Sequence, residues 1–341
     1  MPGVRVVAVS PRMRLYDRNG RRRILPPLVF GLGVRRHLRR YGKRYDVVHT
    51  ASFPYFSLLA AGRAQRRDGF RLLVDWHELW TRDYWRDYLG GLRGAIGWRV
   101  QRACLSVPQR AFCFSRLQER RLRELRVNGD VTLLEGQYTG DKLDAPEPAR
   151  PVVVFAGRHI PEKRVPALVP AIVRARAEVP ELQAEIYGDG PQRAKVLRAI
   201  DELRAGAFVS APGFVEADVL ERALATALCF VLPSRREGYG LVVVESSARG
   251  VPSVVVAGPD NAATELVEDG VNGVVAASVD DVADAIVRIH RAGSPLREST
   301  LEWFRRNQER LSPDHSLEIV TREYQASART PPASVAQSPP S

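Results

Sequence analysis

The sequence is poor in the residues that staple small secreted proteins. It has three cysteines in 341 residues, Cys104, Cys113 and Cys229, an odd number at wide spacings, which argues against both a disulfide framework and a zinc site. Long apolar runs are missing as well. PPLVFGLGV at 26–34 comes nearest, and Arg35-Arg36 soon follows it, far short of the roughly 18 residues a membrane span needs. The opening MPGVRVVAVSPRMR has no apolar signal core after a basic start. These absences lead to the expectation of a cytoplasmic chain, at most peripheral to the inner face of the cell membrane. Lysine is scarce too: four lysines (Lys43, Lys142, Lys163, Lys195) stand against 47 arginines.

What is present begins with that charge. The formal balance is +12, which suits a solvated basic surface as well as an anionic partner, since the planar guanidinium matches phosphate. The excess is concentrated. Between Arg12 and Arg44 there are twelve Arg or Lys residues against one acid, Asp17. Such a block points to an anionic surface, a membrane or a lipid-phosphate acceptor. It has no nucleic-acid-binding motif, so no nucleic acid partner is expected.

Short β-branched runs alternate with helical patterns through most of the chain. Candidate strands are 4–9, 46–50, 71–76, 111–115, 131–135, 152–157, 184–188, 229–233, 253–258 and 273–277. Amphipathic stretches such as 166–180 and 281–293 lie between several of them. Near-continuous apolar strands separated by helices predict an α/β architecture with parallel sheets covered on both faces. There are too many units for one sheet, and the charged, proline-rich stretch TGDKLDAPEPARP lacks periodicity. The reading is therefore two Rossmann-like domains, 1–140 and 152–300, joined by a linker over 141–151. C-terminal helices follow over 301–325, opened by the cap-like Ser312-Pro313-Asp314. The proline- and serine-rich residues 326–341 read as a disordered tail.

Three of these strands end in loops fit for one crevice. VVVFAGRHIPEKR runs from a buried strand through Gly157 to Arg158 and Lys163, where a glycine permits a tight turn and two cations suit a diphosphate. IYGDGPQR carries turn chemistry at Gly188-Asp189-Gly190. The third strand leads into REGYGLVVVESSARG, with Glu237 and Glu245 eight residues apart. A glycosidase-like pair needs its carboxyl groups about 5–9.5 Å apart, whereas eight residues of one helix span about 12 Å. The glycines put Glu237 in a loop and Glu245 about a turn into a helix. That arrangement suits two jobs on one extended ligand, with the helix start at Gly240-Leu241 offering N–H groups to a phosphate between.

Taken in order, Arg158 to Lys163, Gly188-Asp189-Gly190-Pro191, PSRREGYGLVVVESSARGVPSVV and GPDNAATELVEDGVNG resemble glycosyltransferase family 4, the group 1 transferases of GT-B fold. The resemblance covers about 150–325. It implies two Rossmann-like domains facing across a cleft, the C-terminal one holding a UDP- or GDP-sugar and the shortened N-terminal one facing the acceptor. It also implies transfer of a hexose to an acceptor hydroxyl with retention, in glycan or glycolipid biosynthesis, with no cofactor and no metal. By that resemblance Arg158 and Lys163 grip the donor diphosphate, Glu245 the ribose and Glu237 the donor sugar. The donor set then reads Gly157, Arg158, Lys163, Gly188, Asp189, Glu237, Gly238, Tyr239, Gly240, Leu241 and Glu245. The catalytic set reads His77, Glu237, Arg158 and Lys163.

The N-terminal half matches less closely. LLVDWHELW resembles the family's strand that ends in a histidine near the anomeric carbon, which makes His77, with Asp75 and Glu78, the acceptor-side group. His49 also lies at a strand end. Tyr84, Trp85 and Tyr88 read equally as an acceptor wall or as helix packing. Family members usually reach a segment like VRVVAVSPR only after a strand, a glycine-rich loop and a long helix. This departure leaves an inactive nucleotide-binding scaffold as one alternative to transfer; a nucleotide-sugar epimerase on the same fold is another.

Overall fold

The parallel runs of β-branched residues form two separate sheets in a computed structural model that describes residues 3–15, 23–140 and 145–326. In the first half, β1 (Val47–Ala51), β2 (Arg71–Trp76), β3 (Arg110–Cys113) and β4 (Val131–Leu133) lie side by side in that order, all parallel. Helices α1 (Leu25–Tyr41), α2 (Tyr55–Asp68), α3 (Arg82–Leu89), α4 (Gly91–Leu105) and α5 (Arg116–Glu124) connect and cover them. Leu58, Phe70, Leu72, Trp76 and Leu105 fill the core on one face.

Residues 4–9, read as a strand, are not one. Val4 and Val6 are 65% and 91% exposed, and the segment passes α1 so closely that a Cβ on Gly33 would lie 1.9 Å from the Val9 carbonyl oxygen. An alternating β-branched pattern makes a strand only where a ladder partner and a face to pack against exist; here the chain lies on a helix instead. Residues 16–22 of the basic block lie outside the described residues.

The second half contains β5 (Val152–Ala156), β6 (Gln183–Tyr187), β7 (Val209–Gly213), β8 (Cys229–Leu232), the two-residue β9 (Arg236–Glu237), β10 (Ser253–Val256), β11 (Asp260–Asn261) and β12 (Gly273–Ala276). Six of them form a parallel sheet in the order β12-β10-β8-β5-β6-β7, and β9 pairs with β11. Every residue of β5, β8 and β10 is buried, as doubly covered strands require. The edge strand β7 escaped the sequence reading because VSAPG carries proline and glycine and alternates poorly. Around the sheet run α6 (Leu168–Ala175), α7 (Arg193–Glu202), α8 (Ala217–Ala225) and α9 (Leu241–Ser247). Three valines at 242–244 sit inside α9, a helix dictated by packing over propensity. The three cysteines are free and buried.

Chain order gives this sheet a switch point. From β5 the chain moves outward to β6 and β7, then returns to place β8 on the other side of β5. The loops after β5 and β8 therefore diverge to opposite faces and leave a crevice at the strand ends.

The chain ends by crossing back. Helix α10 (Val282–Leu311) breaks at Gly293, with φ 62°, and is followed by α11 (Pro313–Gln325), capped by the Ser312 hydroxyl accepting from the Asp314 amide. Helix α11 lies on the first sheet: Arg71 and Arg110 both pair with Glu323, and the Gly136 amide donates to the Ser316 hydroxyl. The Leu311 carbonyl, where the chain returns, accepts from the amides of Gln137 and Tyr138, where it first leaves. Of the expected linker, residues 145–151 have no regular structure and 141–144 lie outside the described residues, as do 327–341 of the expected tail. Among the described residues no helix is long and apolar enough to cross a membrane.

Candidate active site

The crevice at the switch point is built on glycines. Gly157 and Gly188 follow β5 and β6 with φ of 156° and 109°, and a Cβ on Gly188 would lie 2.0 Å from the Gly157 carbonyl oxygen. The two loops can touch only because Gly188 has no side chain. The contact is then locked by backbone bonds from the His159 amide to Asp189 and from the Gln192 amide to His159, each 2.8 Å. The Asp189 carboxylate is used locally, accepting from the Gly190 amide at 2.7 Å. His159 itself is fully buried, and burial pushes its pKa down, so the imidazole under this loop is held neutral. Arg158 is exposed at the mouth.

Across the crevice Glu237 is buried and held from two sides. The Ser234 hydroxyl donates to its Oε1 at 2.8 Å, and the same oxygen pairs with the Lys163 ammonium. The loops after β5 and β8 thus meet through a charge-assisted bond. Gly240 turns the chain into α9 with φ 106°, and a Cβ there would sit 2.7 Å from that of Ala263. Leu241 opens α9, and Glu245 lies half-buried a turn later. Burial raises the Glu245 pKa, opposed by Arg249 and reinforced by Glu221.

The N-terminal domain reaches this crevice through the residues after β2. His77 stacks on Phe114 with ring centroids 4.6 Å apart, and a Cβ on Gly238 would lie 2.6 Å from the His77 carbonyl oxygen. Glu78 pairs with Arg236 at 2.9 Å. His77 and Glu78 are thus brought against the Glu237 turn. Asp75 is not: it is engaged by His49 at 2.9 Å, and His49 in turn by the Tyr324 hydroxyl of α11 at 2.7 Å. Tyr239 also turns away from the crevice, its hydroxyl donating to the Glu135 carbonyl at 2.5 Å, so its backbone alone stays with the turn. Tyr84 and Trp85 are buried packing residues, and Tyr88 is exposed and stacks on Tyr84. A cavity of about 220 Å³ remains between the domains, lined in part by Phe114, Arg116, Tyr239, Glu265 and Arg310.

The interdomain partners were invisible to sequence reasoning. Glu265 accepts from the Arg116 and Leu117 amides at 2.8 and 2.7 Å, at the start of α5 where the helix dipole favours a carboxylate. Arg121 on α5 pairs with Asp260 at 2.5 Å. These pairs lie more than a hundred residues apart, and no local pattern announces them.

Two family models match the chain, one for each domain. Residues 150–292 match glycosyl transferases group 1, and residues 1–134 match a glycosyl transferase 4-like domain. The chain belongs to the group 1 glycosyltransferases. This group 1 chain is 36% identical over 144 residues to a GDP-mannose-dependent alpha-(1-6)-phosphatidylinositol monomannoside mannosyltransferase of Mycolicibacterium smegmatis, covering 40% of this chain and 37% of the relative. It is 29% identical over 183 residues to the UDP-N-acetylglucosamine–peptide N-acetylglucosaminyltransferase GtfA subunit of Streptococcus gordonii, covering 53% and 34%. The aligned segments span about a third of the length of these curated relatives. Sucrose-phosphate synthase from Thermosynechococcus elongatus superposes with a TM-score of 0.71 at 22% identity, covering 88% of this chain and 78% of that one. The group 1 chain has the GT-B fold.

Proposed function

We propose that this chain transfers a hexose from a UDP- or GDP-sugar to an acceptor hydroxyl, with retention and without a divalent metal. The observation that carries the reading is the Lys163–Glu237 pair across the switch point, with Ser234 on the same carboxylate and Arg158 on the same loop as Lys163. Arg158 and Lys163 would meet the diphosphate as its negative charge grows. Glu237 would receive the sugar hydroxyls, and Glu245 the ribose. His77 would face the anomeric carbon and acceptor from the opposite domain, beside Glu78. In this reading the departing donor phosphate itself takes the acceptor proton. The relatives named above use GDP-mannose and UDP-N-acetylglucosamine by their names, so both bases are candidates.

Thermal melting with millimolar UDP, GDP and ADP tests the donor site. A ligand at about 100 times its dissociation constant stabilises by roughly 2.7 kcal/mol. The expected result is an upward shift with one nucleotide. Glu245→Ala should shrink that shift and weaken nucleotide affinity by about 10- to 100-fold, as loss of charge-assisted hydrogen bonds worth about 1.5–3 kcal/mol implies. Unchanged affinity in that variant would remove Glu245 from the ribose. No shift with any nucleotide would favour the scaffold reading, and sugar conversion without acceptor would favour the epimerase.

The acceptor reading extends to a membrane surface. On α1, Leu25, Leu28 and Leu32 are exposed at helical spacing, and exposed Arg35, Arg36 and Arg39 continue the stripe. An apolar stripe flanked by arginines suits an anionic interface, where each basic residue contributes about 1 kcal/mol. Co-flotation with phosphatidylglycerol vesicles should exceed that with phosphatidylcholine. The triple variant Leu25→Ser, Leu28→Ser, Leu32→Ser should lose about tenfold or more of the bound fraction. Equal flotation on neutral vesicles would sink the membrane reading.

A further inference from the structure

Arg236 stands immediately before Glu237 on β9 and points the other way. It belongs to the C-terminal domain, yet its side chain, buried at 6% exposure, is surrounded by the N-terminal one. Its guanidinium lies 4.1 Å from the centroid of the Tyr84 ring and 4.7 Å from that of Trp80, and it pairs with Glu78 at 2.9 Å. Glu78 is itself fixed by the Trp80 indole N–H at 3.0 Å. A guanidinium over two rings and against a carboxylate is bound by stacking, cation–π attraction and charge together. The cage is also tied back to the phosphate loop, because the Tyr84 hydroxyl donates to Glu162, the residue before Lys163, at 2.7 Å.

The strand that carries Arg236 is only two residues long. Its one ladder partner is β11, in register Asp260 to Arg236 and Asn261 to Glu237. Asn261 is anchored within its own domain, its side chain donating to the carbonyls of Ser234 and Val256. Asp260 is held by Arg121 of the N-terminal domain. The turn presenting Glu237 is therefore gripped from the other domain at both strands of its ladder. Successive strand residues face opposite sides, so what fixes the Arg236 side chain fixes the direction of Glu237.

We infer that Arg236 is a positioning residue: docked in the Glu78–Trp80–Tyr84 cage when the two domains are closed, it adds an interdomain restraint to the Glu237 turn, beyond the hold that Ser234 and Lys163 give the carboxylate within its own domain. The inference rests on the transferase reading above, in which Glu237 meets the donor sugar. Opening the cleft withdraws the guanidinium from the cage and loosens a two-residue strand; the phosphate loop loses its Glu162–Tyr84 contact with it but keeps the backbone bonds of His159 to Asp189 and Gln192, and Glu245 stays on α9. The chain thereby links the sugar end to closure more strongly than it links nucleotide capture.

Two measurements on the full chain separate this role from general stability. The first needs no activity: hydrogen exchange followed by mass spectrometry on wild type, Arg236→Met and Glu78→Gln. Faster exchange is expected in peptides covering 234–241 and 77–84 in both variants, with the β5–β6 core unchanged. The second is kinetic. Arg236→Met should lower kcat for donor turnover by about 100-fold, the effect of losing a preorganised contact, while the nucleotide dissociation constant stays within about twofold of wild type. Arg236→Lys keeps the charge without the planar fork and should fall between. Glu78→Gln lies on the other domain and gives the same split if Arg236→Met fails to fold. Unchanged exchange at 234–241, or a loss of nucleotide affinity in proportion to kcat, overturns the inference. A wild type that binds no nucleotide and turns over no donor overturns the transferase reading instead, and the exchange result still decides whether Arg236 holds the turn.

Discussion

Replacing Arg158 with alanine is expected to leave the fold intact and to slow donor turnover by about 100- to 1000-fold, the usual consequence of deleting one preorganised charge at a site of developing negative charge. The side chain is exposed, and surface substitutions of this kind move stability by only about 0.5 kcal/mol. The loss would come from the leaving group. In the proposed reaction the nucleoside diphosphate gains charge as the bond from sugar to phosphate breaks, and the cations on the loop after β5 would receive it. Lys163 already shares its charge with Glu237, so more of that stabilisation falls to Arg158. Initial rates over a range of donor concentrations, with nucleotide affinity measured separately, read the effect. Most of it should appear in kcat, because an interaction that strengthens only in the transition state lowers the barrier rather than the binding constant. Full turnover in Arg158→Ala would falsify its assignment to the diphosphate.

The second large effect is structural. Gly188→Ala should lower the stability of the C-terminal domain by about 2–5 kcal/mol, from a left-handed backbone forced on an L residue together with overpacking. The added Cβ would meet a backbone carbonyl, that of Gly157, at 2.0 Å, and a carbonyl has no rotamer into which to retreat. Either the loop after β5 or the loop after β6 must move, and Arg158 and Lys163 move with the first. In a melting experiment the midpoint should fall by about 5–15 °C, and the nucleotide-dependent shift should vanish along with it. Gly206→Ala is the control: its Cβ would meet nothing nearer than 3.9 Å. A Gly188→Ala protein that melts like wild type would mean that the two loops do not touch in solution.

Much of this architecture was legible from periodicity alone. Buried strands such as VVVFA and CFVL declare themselves, because a strand covered on both faces has no polar side to confuse the pattern. The glycines after β5, β6 and β8 mark where backbones approach closely, and the spacing sets Glu245 on α9, whereas Glu237, expected in a loop, stands on the two-residue β9. Residues 4–9 show the limit of the same logic. VRVVAV has the composition of a strand, yet composition does not supply a neighbour to pair with, and the segment lies along α1 instead. Asp75 shows another limit: its place beside His77 in sequence says nothing about His49, whose ring reaches it from the adjacent strand. Arg236 was in plain view in REGYG, but its meaning depends on Glu78, Trp80 and Tyr84, residues of the other domain that no local rule connects to it.

The two places where the chain passes between the domains are not spread along the cleft. They are bonded to each other, the outgoing Gln137 and Tyr138 to the returning Leu311. Such a joint behaves as the fulcrum of a pair of tongs. A small angular change there is multiplied by the length of the jaws, so the gap at Arg236 and Glu78 can open widely for little distortion of backbone. The doubled crossing also resists twist, since two chains side by side cannot swivel about a single bond. A protease that nicks residues 145–151 would therefore leave the jaws attached and still hinged, by way of α10 and α11.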